Sequence, residues 1–326
     1  MSNSHRIEAA VARSRAPTSE AGDFEAALLA GLTATPKRIP CKYFYDARGS
    51  VLFERICGLP EYYVTRTELD LLARHAGDLA VAIGADAELI EFGAGSGRKA
   101  RVLLDALVRP RAYLPVDISG EYLAAEAGRL SDAYPDLIVK PIVADFSRPF
   151  GLPAPMPGAK RRVGFFPGST IGNFTPPEAL RFLSHAARLL NGGGLLVGVD
   201  LVKDPAILHA AYNDAAGVTA AFNKNLLARA NRELGAGFDL SQFHNYASYS
   251  PQRQRVEMYL ISAARQSVRI AGQAVAFADG EAVHTENSHK HTVEGFRALA
   301  ASAGFTPRAV WRDPARLFSL HWLEAN

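Results

Sequence analysis

The 326-residue chain has little cysteine and little excess charge. Its two cysteines, Cys41 and Cys57, do not have the spacing of metal ligands, and so few thiols are typical of a reduced, cytoplasmic protein. The formal net charge is only +3, which is too small to indicate a nucleic acid or an anionic membrane as the partner. We therefore expect a cytoplasmic protein that binds neither nucleic acid nor a membrane.

Long apolar runs are also missing. No run approaches the ~20 residues that span a membrane, and the polar N-terminus lacks the apolar core of a signal peptide. Residues 1–20 mix Ser, Arg, Ala and Pro, which predicts a flexible arm. The composition, with 48% hydrophobic and 21% charged residues, is that of a globular protein with one large core or two moderate ones.

A glycine-rich segment at 91–98, with the sequence EFGAGSGR, is the most informative part of the chain. It follows an apolar run and precedes a helical pattern at 99–107. A strand, a glycine turn and a helix in this order predict a nucleotide-cofactor site, because the ligand can approach the backbone and the N–H groups of the helix terminus. The dinucleotide fingerprint has glycines at its first, third and sixth positions. Here the third glycine comes at the fifth position and Arg98 occupies the sixth, which disfavours NAD, whereas Glu91 suits the ammonium of S-adenosylmethionine (SAM).

Strands and helices alternate around this segment. Apolar runs predict strands at 88–92, 112–116, 138–144, 162–166 and 194–201, with helices at 99–107, 120–134 and 176–190. This alternation is typical of a doubly wound parallel sheet, in which ligands bind beyond the carboxyl ends of the strands. Asp117 would accept the ribose hydroxyls there, Asp145 would accept the adenine amine, and Phe146 would cover the ring. Asp117 by itself could instead cap the following helix.

The alternation stops after residue 203. We predict helices within 206–234 and antiparallel strands at 255–263, 266–270 and 273–278, and then a helix at 293–303 and closing strands at 305–312 and 317–323. Helices are also predicted at 24–32, 50–57 and 65–83. Residues 204–290 are thus interpreted as an insertion that packs with residues 21–65, beside a cofactor domain made from 66–203 and 291–326.

Four further motifs carry a resemblance to a known family. They are KYFYDARGS at 42–50, LPEYYVTR at 59–66, GSTIGNFTP at 168–176 and DLVKD at 200–204. From about residue 25 to its end, the chain closely resembles the histidine-specific SAM-dependent methyltransferases, which make hercynine in ergothioneine biosynthesis. The resemblance implies an α/β fold: a class I SAM-methyltransferase (Rossmann-like) core with a second α+β substrate-binding domain, built from an N-terminal segment and a late insertion.

The resemblance also implies roles for individual residues. Those that match cofactor-binding positions are Gly93, Lys99, Asp117, Asp145 and Phe146. Those that match positions around the amine and carboxylate of the amino acid are Tyr45, Tyr62, Asn173 and Tyr212, with Tyr45 and Asn173 as the catalytic pair. Those that match positions around the imidazole are Met258, Glu286 and Ser288. The implied reaction transfers three methyl groups from SAM to the α-amino group of free L-histidine, without a metal, in a protein that we expect to be monomeric.

Other interpretations remain open at this stage. The protein could methylate another free amino acid, such as tryptophan or a derivative, or it could be an NAD-dependent oxidoreductase or a SAM-binding module without turnover. Without the family motifs, Tyr45, Tyr62 and Met258 would be read as core residues and Glu286 as part of a solvated loop. The histidines at 284, 289 and 291 fit no familiar ligand spacing, and Lys290 between two of them disfavours a metal.

Overall fold

The computed structural model describes residues 20–326. Its helices are α1 (Glu20–Thr33), α2 (Ala47–Cys57), α3 (Tyr63–Arg74), α4 (Ala76–Ile83), α5 (Arg98–Ala106), α6 (Gly120–Ala133), α7 (Pro176–Leu190), α8 (Pro205–Tyr212), α9 (Val218–Leu234) and α10 (Val293–Ser302). Its strands are β1 (Lys37–Arg38), β2 (Ala87–Phe92), β3 (Ala112–Asp117), β4 (Ile138–Val139), β5 (Ile142–Val143), β6 (Arg161–Phe166), β7 (Gly194–Asp200), β8 (Phe243–Ser250), β9 (Arg255–Ser262), β10 (Gln266–Ile270), β11 (Gln273–Phe277), β12 (Ala282–His289), β13 (Phe305–Arg312) and β14 (Phe318–Ala325). Short 3-10 helices lie at Cys41–Phe44, Thr170–Asn173 and Leu240–Gln242.

An eight-stranded sheet forms the larger layer, in the order β13-β14-β7-β6-β2-β3-β4, with β5 also paired to β3. The strands from β2 to β7 run parallel, and β14 and β13 close the sheet antiparallel to them. Every residue of β2 and β7 is buried, as expected for strands that helices cover on both faces. The chain runs from β2 outward to β3 and then returns to β6, so the strand order reverses beside β2. This topology confirms the predicted Rossmann-like core.

A second sheet has the order β1-β12-β9-β8. Its strand β1 comes from the N-terminal part of the chain and pairs in parallel with β12 from the late segment, while β10 and β11 form a separate hairpin. The N-terminal part and the 204–290 segment therefore share one sheet. The exact division of the chain into two domains stays a prediction.

Two sequence-based predictions of local structure are wrong. The single helix predicted at 65–83 is two helices that meet at His75, and the first begins at Tyr63 instead of after a threonine cap. The predicted strand at 138–144 is split into β4 and β5. Glu286 lies in strand β12 and is buried, so the alternative of a solvated loop does not apply to it.

The predicted N-terminal arm falls almost wholly outside the described residues. Within residues 20–326, none of the helices combines the length and the apolar character needed to cross a lipid bilayer.

Candidate active site

A cavity of about 260 Å³ opens where β2, β3, β6 and β7 end and extends to the second sheet. All twelve residues singled out in the sequence contribute to its wall: Tyr45, Tyr62, Gly93, Lys99, Asp117, Asp145, Phe146, Asn173, Tyr212, Met258, Glu286 and Ser288. The fold therefore brings together the predicted cofactor positions and the predicted amino-acid positions. Their individual roles are not tested by this proximity and stay predictions.

The glycine turn after β2 leaves space for a ligand against the backbone. Gly93 and Gly97 have positive φ angles of 76° and 66°, which glycine adopts at little cost. A Cβ on Gly93 would lie 3.3 Å from the Phe146 ring and would narrow the space between the turn and that ring. Gly97 precedes α5, and no side chain caps the first N–H groups of this helix. The turn therefore fits the nucleoside and amino-acid portions of a cofactor such as SAM.

Glu91 lies beneath the turn as a buried carboxyl group. Tyr113 donates a hydrogen bond to it, and burial raises the pKa of Glu91 to about 7. A bound ammonium would favour its ionised form, because an opposite charge lowers the pKa of a carboxyl group. The position predicted from the sequence is thus compatible with a cationic ligand group.

The two aspartates at the strand ends have different surroundings. Asp117 accepts a hydrogen bond from the Ser119 backbone N–H at 2.9 Å, and α6 begins beyond it without a side-chain cap. Asp145 is paired with Lys42, whose Nζ lies 2.9 Å from its Oδ2. Burial acts to raise the pKa of Asp145, but hydrogen bonds from Ser147 and Lys42 outweigh it and lower the pKa. Asp145 is therefore an ionised acceptor at neutral pH.

Lys99 is held by a residue that the sequence interpretation missed. Its Nζ lies 2.6 Å from Oε2 of Glu68, whose side chain is fully buried on α3. Both oxygens of Glu68 also accept from the Gly168 N–H, at 3.0 and 2.8 Å. No local pattern distinguishes Glu68 from the other polar residues of its helix, since its partners arrive only in the folded chain.

Tyrosine side chains line the end of the cavity where the predicted amino-acid positions lie. The Tyr62 and Tyr212 rings lie 6.5 Å apart between centroids, and the Tyr45 ring lies edge-on to Phe53 at 5.6 Å. Burial raises the pKa of Tyr45, Tyr62 and Tyr212. All three phenols are thus protonated at neutral pH and can donate as well as accept hydrogen bonds.

Glu286 and Ser288 lie two residues apart on β12, so they share one face of the strand. Glu286 pairs in register with Met258 of β9. Burial raises the pKa of Glu286 to about 7, although the nearby charge of Lys290 opposes the rise. This end of the cavity consequently offers a carboxyl group, a hydroxyl group and an apolar thioether within a small area.

A second missed feature lies behind Tyr212 and Ser288. Lys290 is fully buried, with its Nζ 2.7 Å from Oδ2 of Asp200. The same Nζ lies 3.0 Å from the Tyr212 hydroxyl and 2.8 Å from Ser288 Oγ. Asp200 also binds a second lysine, Lys203, and both residues belong to the DLVKD motif. The sequence thus indicated that this region matters but did not reveal its connection to Lys290.

Three histidines, His284, His289 and His291, lie near Lys290 in the sequence. Among residues 20–326, no cluster of three or more His, Cys, Asp or Glu side chains is arranged to hold an ion. Burial lowers the pKa of His289 and of His291 to about 4, so both rings are neutral at physiological pH.

The chain is similar to known proteins along most of its length. Residues 24–325 match a family that is described as "Histidine-specific methyltransferase, SAM-dependent". The chain is 44% identical over 297 residues to histidine N-alpha-methyltransferase of Mycolicibacterium smegmatis, covering 89% of this chain and 91% of the relative. It is 40% identical over 296 residues to the protein of that name from Mycobacterium tuberculosis, with 89% and 91% covered. Ergothioneine biosynthesis protein 1 of Neurospora crassa is 30% identical over 283 residues, which cover 85% of this chain but 32% of that longer protein.

Proposed function

The chain belongs to the histidine-specific, SAM-dependent methyltransferases, and on this basis we propose that it is an L-histidine Nα-methyltransferase. It transfers three methyl groups from SAM to the α-amino nitrogen of free histidine and yields hercynine. The observation that carries the proposal is the continuity of one cavity from the glycine turn at Gly93 to Glu286 and Ser288 on β12. This arrangement joins a cofactor pocket to a pocket suited to an imidazole.

The cofactor end would hold SAM by complementary chemistry. SAM supplies an electrophilic methyl group on a sulfonium, so the reaction needs no metal. The turn at Gly93 would cradle the ligand, Asp117 would accept from the ribose hydroxyls, and Asp145 would accept from the adenine amine while Phe146 covers the ring. Lys99 completes this set as a cation beside the turn.

The amino-acid end would orient the nitrogen that is methylated. The Tyr62 hydroxyl can donate to the substrate carboxylate beside Tyr212, and the Asn173 amide can both donate and accept. Alignment of the amine lone pair with the methyl group supplies much of the rate in such a displacement. The amine must also lose protons, and Tyr45 would accept a hydrogen bond from it and relay a proton through water.

Glu286 and Ser288 would select histidine. An ionised Glu286 accepts an imidazole N–H, and Ser288 bonds to the other ring nitrogen, while Met258 packs against the ring. The indole of tryptophan has one ring nitrogen and would leave one of the two polar groups unpaired, which disfavours it as the substrate. The N-terminal 21–65 and inserted 204–290 segments would form the substrate-binding domain beside a methyltransferase domain of 66–203 and 291–326.

Mass spectrometry of the purified protein, incubated with SAM and a panel of free amino acids, tests this proposal. We expect histidine to gain up to three methyl groups and the other amino acids to gain fewer or none. Methylation of tryptophan in place of histidine, or binding of SAM without any turnover, would overturn it. Light scattering and cell fractionation would test the accompanying proposals that the enzyme is monomeric and cytoplasmic.

A further inference from the structure

Asp200 anchors a buried polar network behind the amino-acid end of the cavity. Both of its oxygens accept from the Tyr63 hydroxyl, at 2.9 and 2.8 Å. Lys203 lies 2.6 Å from its Oδ1, and Lys290 lies 2.7 Å from its Oδ2. The side chain of Asp200 is fully buried, as is that of Lys290. A charged lysine in such a position is stable only where its partners satisfy it.

The ammonium of Lys290 has three N–H donors and no acceptor. Asp200 takes one donor, and the Tyr212 and Ser288 oxygens take the other two. Burial alone would lower the pKa of Lys290, but Asp200 and Tyr212 outweigh burial and raise it. The group is thus a permanent cation, and both hydroxyl oxygens must act as acceptors toward it.

The two hydroxyl oxygens also lie 2.7 Å from each other. Tyr212 donates the hydrogen bond between them to Ser288 Oγ, and Lys290 can offer no lone pair to either hydroxyl. The remaining proton is free to point away from the triangle. Since both Tyr212 and Ser288 line the cavity, that proton is available to a bound amino acid.

We propose that Lys290 is a positioning residue for substrate binding: anchored by Asp200, it directs the hydroxyl protons of Tyr212 and Ser288 so that the pair presents one O–H donor to the amino acid. The proposal rests on the proposed function, since it assigns a new role beside the same substrate pocket. Without the ammonium, each hydroxyl can donate to the other, and the amino acid loses its oriented donor.

Lys203 offers a matched control for Lys290. Its side chain is 4% exposed and its ammonium binds the same carboxylate. Its other hydrogen bond goes to the Leu201 carbonyl, away from Tyr212 and Ser288. Replacing either lysine by methionine removes one cation from Asp200, but only Lys290→Met removes the donor to the two hydroxyls.

Steady-state kinetics of full-length Lys290→Met and Lys203→Met provide the first measurement. We expect Lys290→Met to raise the KM for histidine by at least about tenfold, as for the loss of a charged hydrogen bond. In the same variant we expect the Kd for SAM to change by less than about twofold. Lys203→Met should lose comparable thermal stability, but its KM for histidine should stay near that of the wild type. An unchanged histidine KM in Lys290→Met, or equal increases in both variants, would overturn the proposal.

A double-mutant cycle separates positioning from general destabilisation. If Lys290 acts through the two hydroxyls, Lys290→Met will have little further effect on the histidine KM in a protein that already carries Tyr212→Phe and Ser288→Ala. Multiplicative effects would overturn the proposal. Should Lys290→Met fail to fold, Lys290→Gln carries the same cycle, because its neutral amide can accept as well as donate and no longer forces both hydroxyl oxygens to act as acceptors. If the amino-acid panel identifies a different substrate, the cycle uses that amino acid, so that failure of the proposed function and failure of the Lys290 role are distinguished.

Discussion

Lys99 and Glu68 form an ion pair of 2.6 Å at the edge of the predicted cofactor pocket. Glu68 has no exposed side-chain surface, while Lys99 is 19% exposed. The same carboxylate binds the backbone N–H of Gly168, and a Cβ on Gly168 would lie 3.4 Å from Lys99 Nζ. Glu68 thus fixes both a predicted cofactor-binding lysine and the turn that follows β6.

We expect Lys99→Met to destabilise the protein by about 3–5 kcal/mol, because it leaves the buried Glu68 charge without its cation. The variant should also bind SAM more weakly. Adding Glu68→Gln should restore part of the lost stability without restoring SAM affinity. Urea denaturation and titration calorimetry measure the two effects, and a Lys99→Met protein of normal stability would contradict this account of the pair.

Asp117→Ala should weaken SAM binding by at least about tenfold, since the ribose hydroxyls would lose their charged hydrogen-bond acceptor. Its effect on thermal stability should be small, because α6 does not use Asp117 as its N-cap. Asp132→Ala, an exposed position on the same helix, is the control and should leave SAM binding intact. A wild-type Kd for SAM in Asp117→Ala would remove Asp117 from the ribose role.

Glu286→Ala should lower kcat/KM for histidine by at least about a hundredfold, because a buried hydrogen-bonding site discriminates strongly for its partner. The relative loss with tryptophan or phenylalanine should be smaller. The neighbouring Asn287 points to the opposite face of β12, so Asn287→Ala is the matched control. Parallel kinetics with the three amino acids measure the effect, and equal losses for all of them would argue against imidazole recognition by Glu286.

The substitution Glu286→Gln should stabilise the ligand-free protein by an amount that depends on the pH. Burial raises the pKa of Glu286 from 4.5 to about 7 in the folded state. The contribution of protonated Glu286 to the free energy of unfolding is therefore fully present below about pH 4.5 and is lost as the pH rises through about 7. At pH 8 the glutamine variant should be more stable than the wild type by up to about 3 kcal/mol, at about 1.4 kcal/mol per pKa unit.

Near pH 4.5 the two proteins should unfold alike, since the wild-type side chain is then neutral in the folded state. Thermal or urea unfolding across this range checks the prediction. A glutamine variant that is less stable than the wild type at pH 8 would show that the buried carboxylate has a stabilising partner in the folded protein.

Tyr45→Phe should lower kcat with histidine by about tenfold or more, consistent with the usual size of proton-transfer contributions. SAM affinity should be preserved, because the ring and its edge contact with Phe53 remain. Tyr43→Phe is a nearby control whose hydroxyl binds the Asp23 carbonyl. Single-turnover measurements with unchanged rates in Tyr45→Phe would assign the relay to another group.

Local sequence patterns were sufficient for most of the cofactor core. Apolar strands at regular spacing predict the parallel sheet. They also place Asp117, at the end of β3, and Asp145, before Phe146, at one edge of that sheet. These features depend on residues close in sequence: a buried strand is recognised from its own apolar run, and a turn from its own glycines. The polar strand β12 carries no such local signal, and it was missed.

The sequence by itself determined the alternating core, the glycine turn at Gly93 and, through its motifs, the family. Only the tertiary structure decided that Glu68 holds Lys99 and that Lys290 joins Asp200 to Tyr212 and Ser288. The physical reason is that a charged side chain can be buried only when distant segments bring donors and acceptors to it. Such partnerships belong to the packed chain as a whole, whereas the propensities of strands, turns and helices are already present in short stretches of residues.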